Sequence, residues 1–497
     1  MKLLPKPDFP SFFRSAAKIT ASWLSGIQSL VALVDIARLD ELEEWPHGRL
    51  IRQTIEARRL KAGGYTTVIL PCDPPVPAIV GLMPHGGSAY HTLTLAAQLV
   101  KASGTYWPTD IGIATLVADD QIDKATDAVV SALLAAIESH PTAKQSKAPV
   151  WRPSAVRVTG MKPTRTLAVE SGAHLTRWLT QLPPNVLAPG SYRKAISVLA
   201  RRYGWTVETY DEPRLRRLGA GAFLAVTAGS ANRDAAIVHL RYRPKKASKR
   251  APIALVGKGL CFDTGGHNLK SASSMLAMHG DMAGSAVALG TLQALTESGY
   301  PHPVDAWLAL AENRIGPNAY TQQDVITALD GTTIQITHTD AEGRMVLADT
   351  LALAVSSKPA AIVDFATLTG ACVSALTERM SGFFTNRREL RDVVESAGEA
   401  SGERMHGFPM PDDFDDDLDS PTADIAQCLI SGKGDHIYAA RFLNRFVPNS
   451  IAWVHCDLSS AERVGGLAHV PHTVTGFGVR FAHHLLESAE FQRSIAS

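Results

Sequence analysis

Short apolar runs that alternate with helix-like stretches constrain the fold of this 497-residue chain more than any other feature. Four runs of strand length lie in its second half, at 253–256, 306–310, 361–365 and 451–455. Helical stretches separate them, among them Ala283–Ser298. This alternation is typical of α/β domains, in which helices cover a mostly parallel or mixed sheet.

The first 140 residues show a similar alternation. The runs 66–70 and 111–117 predict strands, and 121–140 predicts an amphipathic helix. The apolar stretch 21–37 contains serines, Gln28 and Asp35, which favours a buried or amphipathic helix over a membrane span. A helix is also predicted at 165–182, where one face is apolar and Pro183 follows.

The length exceeds what one ordinary core accommodates, so more than one domain is expected. The polar stretch 141–149 is a candidate connection. We therefore predict a smaller N-terminal α/β domain at 1–150, a linker at 151–164 and a larger catalytic α/β domain at 165–497. The larger domain is expected to hold a mixed, mostly parallel sheet covered by helices.

Composition excludes several classes of protein. The 49 Lys and Arg residues nearly balance the 48 Asp and Glu residues, which argues against a generally basic nucleic-acid binder and an acidic disordered chain. The five cysteines include no Cys-x-x-Cys pair, so we expect neither a disulfide framework nor a structural zinc site. With no secretory signal at the first residues, a reducing, cytoplasmic location is expected.

Two charge runs are interpreted as solvated surface. One is a basic run around a proline turn, predicted as a hairpin tip and not a phosphate site: Arg241, Arg243, Lys245, Lys246, Lys249 and Arg250. The other is the acidic run at 412–419, which lacks the spacing of a calcium loop. The chain also lacks the signatures of zincins, serine hydrolases, nucleotide hydrolases and dinucleotide enzymes.

Chemistry concentrates in two segments, 256–284 and 337–349. In the first, Lys258 follows an apolar strand, near the carboxyl edge where open α/β sheets bind ligands. Asp263 precedes two glycines, and Asp281 comes just before a predicted helix. In the second, Asp340 and Glu342 are two residues apart and point the same way if the backbone is extended, with Arg344 two further on.

Four carboxylates this close together repel one another unless cations neutralise them. Two divalent ions would balance the charge and could activate a bridging water. Oxygen-rich ligands suit Mg²⁺, Mn²⁺, Co²⁺ or Zn²⁺. One lysine could bind metal as a neutral amine while the other stays charged and polarises a carbonyl. The alternative is a set of surface ion pairs and helix caps, which explains single residues better than it explains the whole set.

The two segments resemble the signatures of the leucyl aminopeptidase (cytosol aminopeptidase) family. The shared elements are Gly-Lys-Gly, Phe-Asp-Thr-Gly-Gly, a lysine seven residues after that aspartate, Asp-Met-x-Gly and Thr-Asp-Ala-Glu-Gly-Arg. The resemblance runs from 182–185 to 475–480 and covers about the last two-thirds of the chain. His338 stands where the family has Asn.

The resemblance implies a metal-dependent leucyl aminopeptidase, a hydrolase that removes the N-terminal residue of peptides. Implied metal ligands are Lys258, Asp263, Asp281, Asp340 and Glu342. Lys270 would stabilise the tetrahedral intermediate, and Arg344 would hold a bicarbonate general base. Implied substrate-binding residues are Met278, Thr367, Leu368 and Gly370.

The resemblance also implies two Mn²⁺ or Zn²⁺ ions per subunit, possible substitutes being Mg²⁺ and Co²⁺, and a homohexamer. Nucleic-acid binding, known for some members, has only the basic run 241–250 in its favour, and the near-neutral charge speaks against it. A degenerate, non-catalytic member is the third alternative. We expect a packing or hydrogen-bonding role for His338 over a weak metal contact, and a buried, unreactive Cys261.

Overall fold

A computed structural model of the chain describes residues 1–6, 9–14, 18–83, 86–145, 150–159, 163–245 and 250–496. Two large sheets dominate the described structure. The first part of the chain contains strands β1 (Ser11–Arg14), β2 (Ser29–Val34), β3 (Tyr65–Leu70), β4 (Val76–Leu82), β5 (Asp110–Leu116) and β6 (Ala155–Val158), and helices α1 (Ala21–Leu24), α2 (Gly48–Ala57), α3 (Ala89–Gly104) and α4 (Ile122–Ile137).

These six strands form one sheet in the order β1-β6-β5-β2-β4-β3. Every pair is parallel except β3 with β4. The central strand β2 is buried along its whole length, as expected for a parallel strand that is covered on both faces.

The rest of the chain builds a larger sheet and a small three-stranded one. The strands are β7 (Thr206–Asp211), β8 (Ala236–Tyr242), β9 (Ile253–Asp263), β10 (Val304–Asn313), β11 (Val325–Thr327), β12 (Thr333–Gln335), β13 (Ala361–Ala366), β14 (Ser381–Thr385), β15 (Met405–Gly407), β16 (Ile425–Ala426) and β17 (Ala452–Asp457). The eight-stranded sheet has the order β15-β14-β17-β13-β9-β10-β8-β7, and β11, β12 and β16 form the small sheet.

Helices cover both faces of the eight-stranded sheet. They are α5 (Thr164–Thr180), α6 (Pro189–Tyr203), α7 (Glu212–Leu218), α8 (Gly221–Thr227), α9 (Ala272–Met275), α10 (Ala283–Ser298), α11 (Glu342–Ser356), α12 (Gly370–Leu376), α13 (Leu390–Ser401), α14 (Asp435–Asn444), α15 (Val479–Glu487) and α16 (Ala489–Ser494). One core contains residues of α5, α10 and α15, and the opposite one residues of α8, α11 and α14. The central strands β17, β13, β9 and β10 are parallel, and they are flanked by β14 and β8, which pair antiparallel with β17 and β10. At the edges, β15 pairs parallel with β14, and β7 pairs antiparallel with β8. The predicted mixed α/β fold is confirmed.

The predicted helix at 21–37 is wrong. The structure has the four-residue α1, the strand β2 and a 3₁₀ helix that begins at Ile36. A short apolar run cannot be assigned to a buried strand or a buried helix by periodicity alone, and here parallel pairing with β4 and β5 decides for a strand.

The basic run 241–250 is not a hairpin tip, because β10 lies between β8 and β9 in the sheet. Arg241 pairs with Glu208, and Arg243 with Asp305 at 2.6 Å. Lys246 and Lys249 lie outside the described residues. Arg241 and Arg243 are thus held by carboxylates of neighbouring strands, and Arg250 Nη1 donates to Gln492 Oε1 at 3.0 Å.

The division into 1–150, 151–164 and 165–497 stays a prediction. Within the predicted linker, β6 pairs with β1 and β5 of the six-stranded sheet. The last residues of the candidate connection, 146–149, lie outside the described part of the chain. Among the described helices, none has the length and apolar character needed to cross a membrane.

Candidate metal centre and active site

The candidate site begins where strand β9 extends beyond the end of its neighbour β13. Pairing between these strands stops at Gly257 and Phe365, whereas β10 accompanies β9 as far as Asp263. The prediction that this strand ends near Gly257 is therefore wrong. Beyond that point Lys258 reaches across to the chain that follows β13, where its Nζ donates to the Thr367 carbonyl oxygen at 3.0 Å.

Asp263 ends β9 and is held by two donors. Gly265 N and Asn313 Nδ2 each donate to its Oδ1 at 2.8 Å. Gly265 has φ +84°, and a Cβ there would lie 2.5 Å from the Asn268 carbonyl oxygen and 3.0 Å from Asp340 Oδ1. Only glycine therefore allows this turn to bring Asp263 and Asp340 together.

Two lysines bridge the four predicted carboxylates. Lys258 Nζ lies 2.9 Å from Asp281 Oδ1 and 3.1 Å from Glu342 Oε1. Lys270 Nζ lies 2.8 Å from Asp263 Oδ2 and 2.6 Å from Asp340 Oδ1. We call these six residues the carboxylate cluster: Lys258, Asp263, Lys270, Asp281, Asp340 and Glu342. The sequence prediction that they converge agrees with these contacts.

The backbone at Asp340 and Glu342 is not extended, so the condition under which their side chains would point the same way is not met. Glu342 is the first residue of α11, and Arg344 lies in the first turn of the same helix. Glu342 reaches Lys258 because the helix N-terminus points at the cluster, where its partial positive charge favours a carboxylate.

The cluster holds more negative than positive charge, and it is buried. Burial, with repulsion from Glu342 and Asp263, raises the pKa of Asp340 to about 7. Burial likewise raises the pKa of Asp281 to about 7, although Lys258 opposes the shift. Burial alone would lower the pKa of Lys258, but the surrounding carboxylates raise it above its ordinary value. Without further cations, the four carboxylates are only partly neutralised and repel one another.

The donor set fits divalent metal ions. One carboxylate oxygen each from Asp263, Asp340 and Glu342 lies within 4.8 Å of the others. Asp281 Oδ2 is buried and has no hydrogen-bond partner. Carboxylate oxygens gathered this closely are the ligands that hard and borderline dications prefer.

A cavity of about 610 Å³ opens beside the cluster. All six cluster residues contribute to its lining. The four predicted substrate-binding residues also line it: Met278, Thr367, Leu368 and Gly370. The structure thus brings the predicted ligands, Lys270 and the predicted peptide-binding loop to one cavity.

Asp457 is a site residue that the sequence analysis missed. It ends β17, is buried, and its Oδ1 accepts from Leu368 N at 3.1 Å and Thr369 N at 3.3 Å. Its Oδ2 accepts from the Thr369 hydroxyl at 2.6 Å. Asp457 therefore fixes the loop that lines the cavity. A carboxylate two residues after the predicted strand at 451–455 was the available signal.

Arg344 does not line the cavity among the residues that the structure describes. Its Nη2 donates to both oxygens of Asp435, at 2.7 and 2.8 Å, and its Nη1 donates to the Gln427 carbonyl oxygen at 3.2 Å. The side chain is 2% exposed. The guanidinium predicted to hold an anion therefore already has a carboxylate partner.

His338 and Cys261 have the roles expected of them. His338 Nδ1 accepts from Asp340 N at 3.2 Å, so the imidazole orders the turn that carries a cluster carboxylate. Cys261 is buried within β9, and burial raises the pKa of its thiol well above the ordinary value. All five cysteines are free.

Comparison with known proteins decides the family. A sequence model of the catalytic domain of the cytosol aminopeptidase family matches residues 174–482, more than half of the chain. The chain belongs to the cytosol aminopeptidase family. It is a peptidase of the hydrolase class, in a family of metallo-aminopeptidases.

Known proteins are similar to this member of the cytosol aminopeptidase family in both sequence and structure. A probable cytosol aminopeptidase of Parasynechococcus marenigrum is 37% identical over 375 residues, which cover 73% of this chain and 76% of the relative. A solved structure of the bottromycin maturation enzyme BotP in complex with Mn superposes with a TM-score of 0.79 at 29% identity, covering 93% of this chain and 99% of BotP.

A second solved structure, a mutant tomato leucine aminopeptidase, has a TM-score of 0.83 at 25% identity. The match covers 97% of this chain and 98% of the tomato enzyme. The similarity therefore includes the described six-stranded sheet, in the part of the chain where the sequence shows no family signature.

Proposed function

We propose that this chain is a leucyl-type aminopeptidase that hydrolyses the first peptide bond of substrates with a free amino terminus. Its metals would be two divalent ions, Mn²⁺ or Zn²⁺, with Mg²⁺ or Co²⁺ as substitutes. The observation that carries the proposal is the carboxylate cluster itself. Its four carboxylates and two lysines lie in one wall of the cavity, beside the loop 367–370 that Asp457 holds in place.

Five residues would hold the metals: Lys258, Asp263, Asp281, Asp340 and Glu342. Bound divalent ions would neutralise the carboxylates and make a water molecule nucleophilic at neutral pH. Lys258 would then have to lose its proton, because its two carboxylate partners would turn to the cations.

Lys270 would stabilise the negative charge that develops on the substrate carbonyl oxygen. Its side chain is 15% exposed, whereas that of Lys258 is 4% exposed, so Lys270 Nζ is the more accessible of the two ammonium groups in the cavity wall. A fixed positive charge in a partly dry cavity stabilises such an oxyanion more strongly than it would in water.

Asp457 would position the substrate through the loop that it holds. The loop residues Thr367, Leu368 and Gly370 line the cavity on the side of Lys258, and backbone groups there would bind the peptide. A backbone register that is fixed by a buried carboxylate keeps the scissile bond near the metals.

Bicarbonate held by Arg344 is the finer part of the proposal. Two contacts bear on it: Asp435 occupies Arg344 Nη2, and Arg344 Nε is buried without a hydrogen-bond partner. Bicarbonate binding would require Asp435 to release or share the guanidinium.

A homohexamer is proposed from family membership. A light-scattering measurement that finds the mass of a monomer at micromolar concentration would contradict it.

The decisive experiment removes single metal ligands. Asp340→Ala and Glu342→Ala should each lower hydrolysis of a leucine anilide, with Mn²⁺ or Zn²⁺ added, by at least about 100-fold. Asp413→Ala, at an exposed position of the acidic run, is the matched control and should keep full activity. Activity of either ligand variant within about tenfold of the wild type would refute the proposal.

A further inference from the structure

A second group of metal-binding side chains lies apart from the carboxylate cluster. Glu138 and His140 follow the end of α4, and His472 belongs to the segment between β17 and α15. The two Nε2 atoms are 3.1 Å apart, and His472 Nε2 lies 3.9 Å from Glu138 Oε1. One ligand atom of each residue lies within 4.8 Å of the other two.

The hydrogen bonds of His140 fix which ring nitrogen carries the proton. Its Nδ1 lies 3.1 Å from Gln181 Oε1, an oxygen that can only accept, so Nδ1 carries the proton. Nε2 then carries the lone pair and faces the Nε2 of His472 at 3.1 Å as an acceptor. An imidazole that donates through one nitrogen and offers the other is the usual arrangement of a metal-bound histidine.

His472 can offer its Nε2 to a metal ion once its proton moves from Nε2 to Nδ1. Its Nε2 lies 3.0 Å from the Ala135 carbonyl oxygen, to which it donates in the absence of metal. This carbonyl belongs to the last turn of α4, where carbonyls lack helical partners and the helix dipole attracts cations. Moving the His472 proton to Nδ1 would make both Nε2 lone pairs available to an ion next to this carbonyl oxygen.

The distances suit a small divalent ion. Tetrahedral zinc with bonds of about 2.0–2.1 Å to nitrogen separates two ligand nitrogens by roughly 3.4 Å. The spacing of the two Nε2 atoms differs from this value by only a few tenths of an ångström, but the two rings, whose centroids lie 4.0 Å apart, must turn outwards to aim both nitrogens at one ion. Glu138 must share an oxygen with the ion, because both of its oxygens accept hydrogen bonds from Arg177. Two imidazoles and one carboxylate form a ligand set that zinc commonly uses.

The surrounding charge tolerates a cation. Glu138 pairs with Arg177, which also contacts Glu170 at 3.3 Å. Arg480 contacts Asp127 and lies 3.9 Å from Glu170. We call these five residues the Arg177 cluster: Asp127, Glu138, Glu170, Arg177 and Arg480. It contains three carboxylates against two guanidinium groups, and His469 also contacts Glu170. Glu138 is the carboxylate of this cluster that lies beside the two histidines.

We propose that Glu138, His140 and His472 form a mononuclear site for a divalent ion of the zinc type, separate from the carboxylate cluster. The site joins the end of α4 to the segment that follows β17. Thr473, next to His472, lines the catalytic cavity, and its carbonyl oxygen accepts from Arg463 N at 2.7 Å. A bound ion would therefore fix one wall of the cavity without touching substrate. This proposal stands independently of the proposed catalytic function.

Metal stoichiometry tests the proposal directly. The full-length protein is stripped with a chelator, equilibrated with Zn²⁺, desalted and analysed by mass spectrometry for bound zinc. His472→Ala should bind one zinc ion fewer per chain than the wild type, and His140→Asn should show the same loss. His406→Ala is the control, because His406 is half-exposed and lies on β15, outside this group.

A second background separates this site from the catalytic one. In an Asp340→Asn/Glu342→Gln protein, Zn²⁺ should still raise the melting temperature, and the added His472→Ala change should abolish that shift. Cobalt in this background should give the absorption bands of a histidine-ligated ion. Equal zinc content in wild type, His472→Ala and His140→Asn would overturn the proposal, whatever the enzyme assay shows. If one histidine variant fails to fold, the other and the cobalt spectrum still decide.

Discussion

The carboxylate cluster and the Arg177 cluster both contain buried carboxylates paired with cations. The pKa values of Asp340 in the first cluster and Glu170 in the second nevertheless shift in opposite directions. In the Arg177 cluster, burial alone would raise the pKa of Glu170, yet His469 and the two arginines lower it to about 2. In the carboxylate cluster, burial and mutual repulsion raise the pKa of Asp340 to about 7. The same side-chain chemistry thus gives opposite shifts.

The cations explain the difference. Arg177 donates through Nε and Nη2 to Glu138 and through Nη2 to Glu170, so planar guanidinium hydrogen bonds cover the carboxylate oxygens. Lys258 and Lys270 supply compact charges that leave oxygens such as Asp281 Oδ2 without a partner. Arginine thus covers the carboxylates of its cluster with direct hydrogen bonds, which stabilises the fold, whereas the lysines leave carboxylate oxygens of the other cluster available to metal ions.

Glu138 is the exception within the Arg177 cluster. Burial raises the pKa of Glu138 in spite of its ion pair with Arg177. It is also the member that faces His140 and His472. The carboxylate whose charge is least well compensated therefore lies at the proposed zinc site.

The largest expected effect comes from removing the central arginine. Arg177→Met leaves Glu138 and Glu170 buried beside an apolar side chain, which should reduce the free energy of unfolding by about 3–5 kcal/mol. Urea unfolding measures the loss. Arg52→Met removes surface ion pairs and should cost less than about 1 kcal/mol. Equal losses in the two variants would mean that burial does not distinguish these pairs.

The lysine of the open cluster should control catalysis. Lys270→Ala should lower kcat about 100- to 1,000-fold and change KM little, because its charge acts on the transition state. Lys270→Arg should not restore kcat, since a guanidinium would cover the carboxylates that metals need. Steady-state kinetics on a leucine anilide measures both, with the exposed Lys101→Ala as control. A change confined to KM would contradict the assigned role.

The low pKa of Glu170 should appear in the pH dependence of stability. The folded-state pKa is about 2 and the ordinary value is 4.5, so the ionised form stabilises the fold above pH 4.5. That contribution, on the order of 3 kcal/mol, is lost as the pH falls towards 2. Glu170→Gln should be destabilised at pH 7, and its difference from wild type should shrink below pH 4.5. A constant difference from pH 7 to 3, measured by urea unfolding, would show that charge is not the cause.

The smallest effect concerns the anion site. Asp435→Ala frees Arg344 Nη2, so added bicarbonate should increase the activity of this variant by about fivefold, the equivalent of one charge-assisted hydrogen bond. The wild type, measured in carbonate-depleted buffer, should respond less. Asp424→Ala, at a surface carboxylate away from Arg344, is the control. Equal responses in all three proteins would show that Asp435 does not compete for Arg344.

Local pattern was sufficient for much of the fold and for the chemistry of the site. The helix predicted at Ala283–Ser298 has these bounds in the structure, and the strands at 361–365 and 451–455 lie within two residues of theirs. The contacts of Lys258, Asp263, Asp281, Asp340 and Glu342 agree with their predicted convergence, because each lies in a motif with distinctive spacing.

The errors share one cause, which is that pairing partners are not visible in a single segment. The run 29–34 became a strand because β4 and β5 flank it, and β9 continued past Gly257 because β10 continues beside it. Asp457 was missed because its function depends on a loop 88 residues earlier in the chain.

The sequence alone determined that this chain alternates strands and helices and that it carries a set of carboxylates too crowded to exist without cations. Only the tertiary structure decided which charges meet. It placed Asp435 on Arg344 and His140 beside His472, residues 91 and 332 positions apart. Such contacts depend on the packing of distant loops against one another, and neither local propensity nor motif spacing encodes that packing.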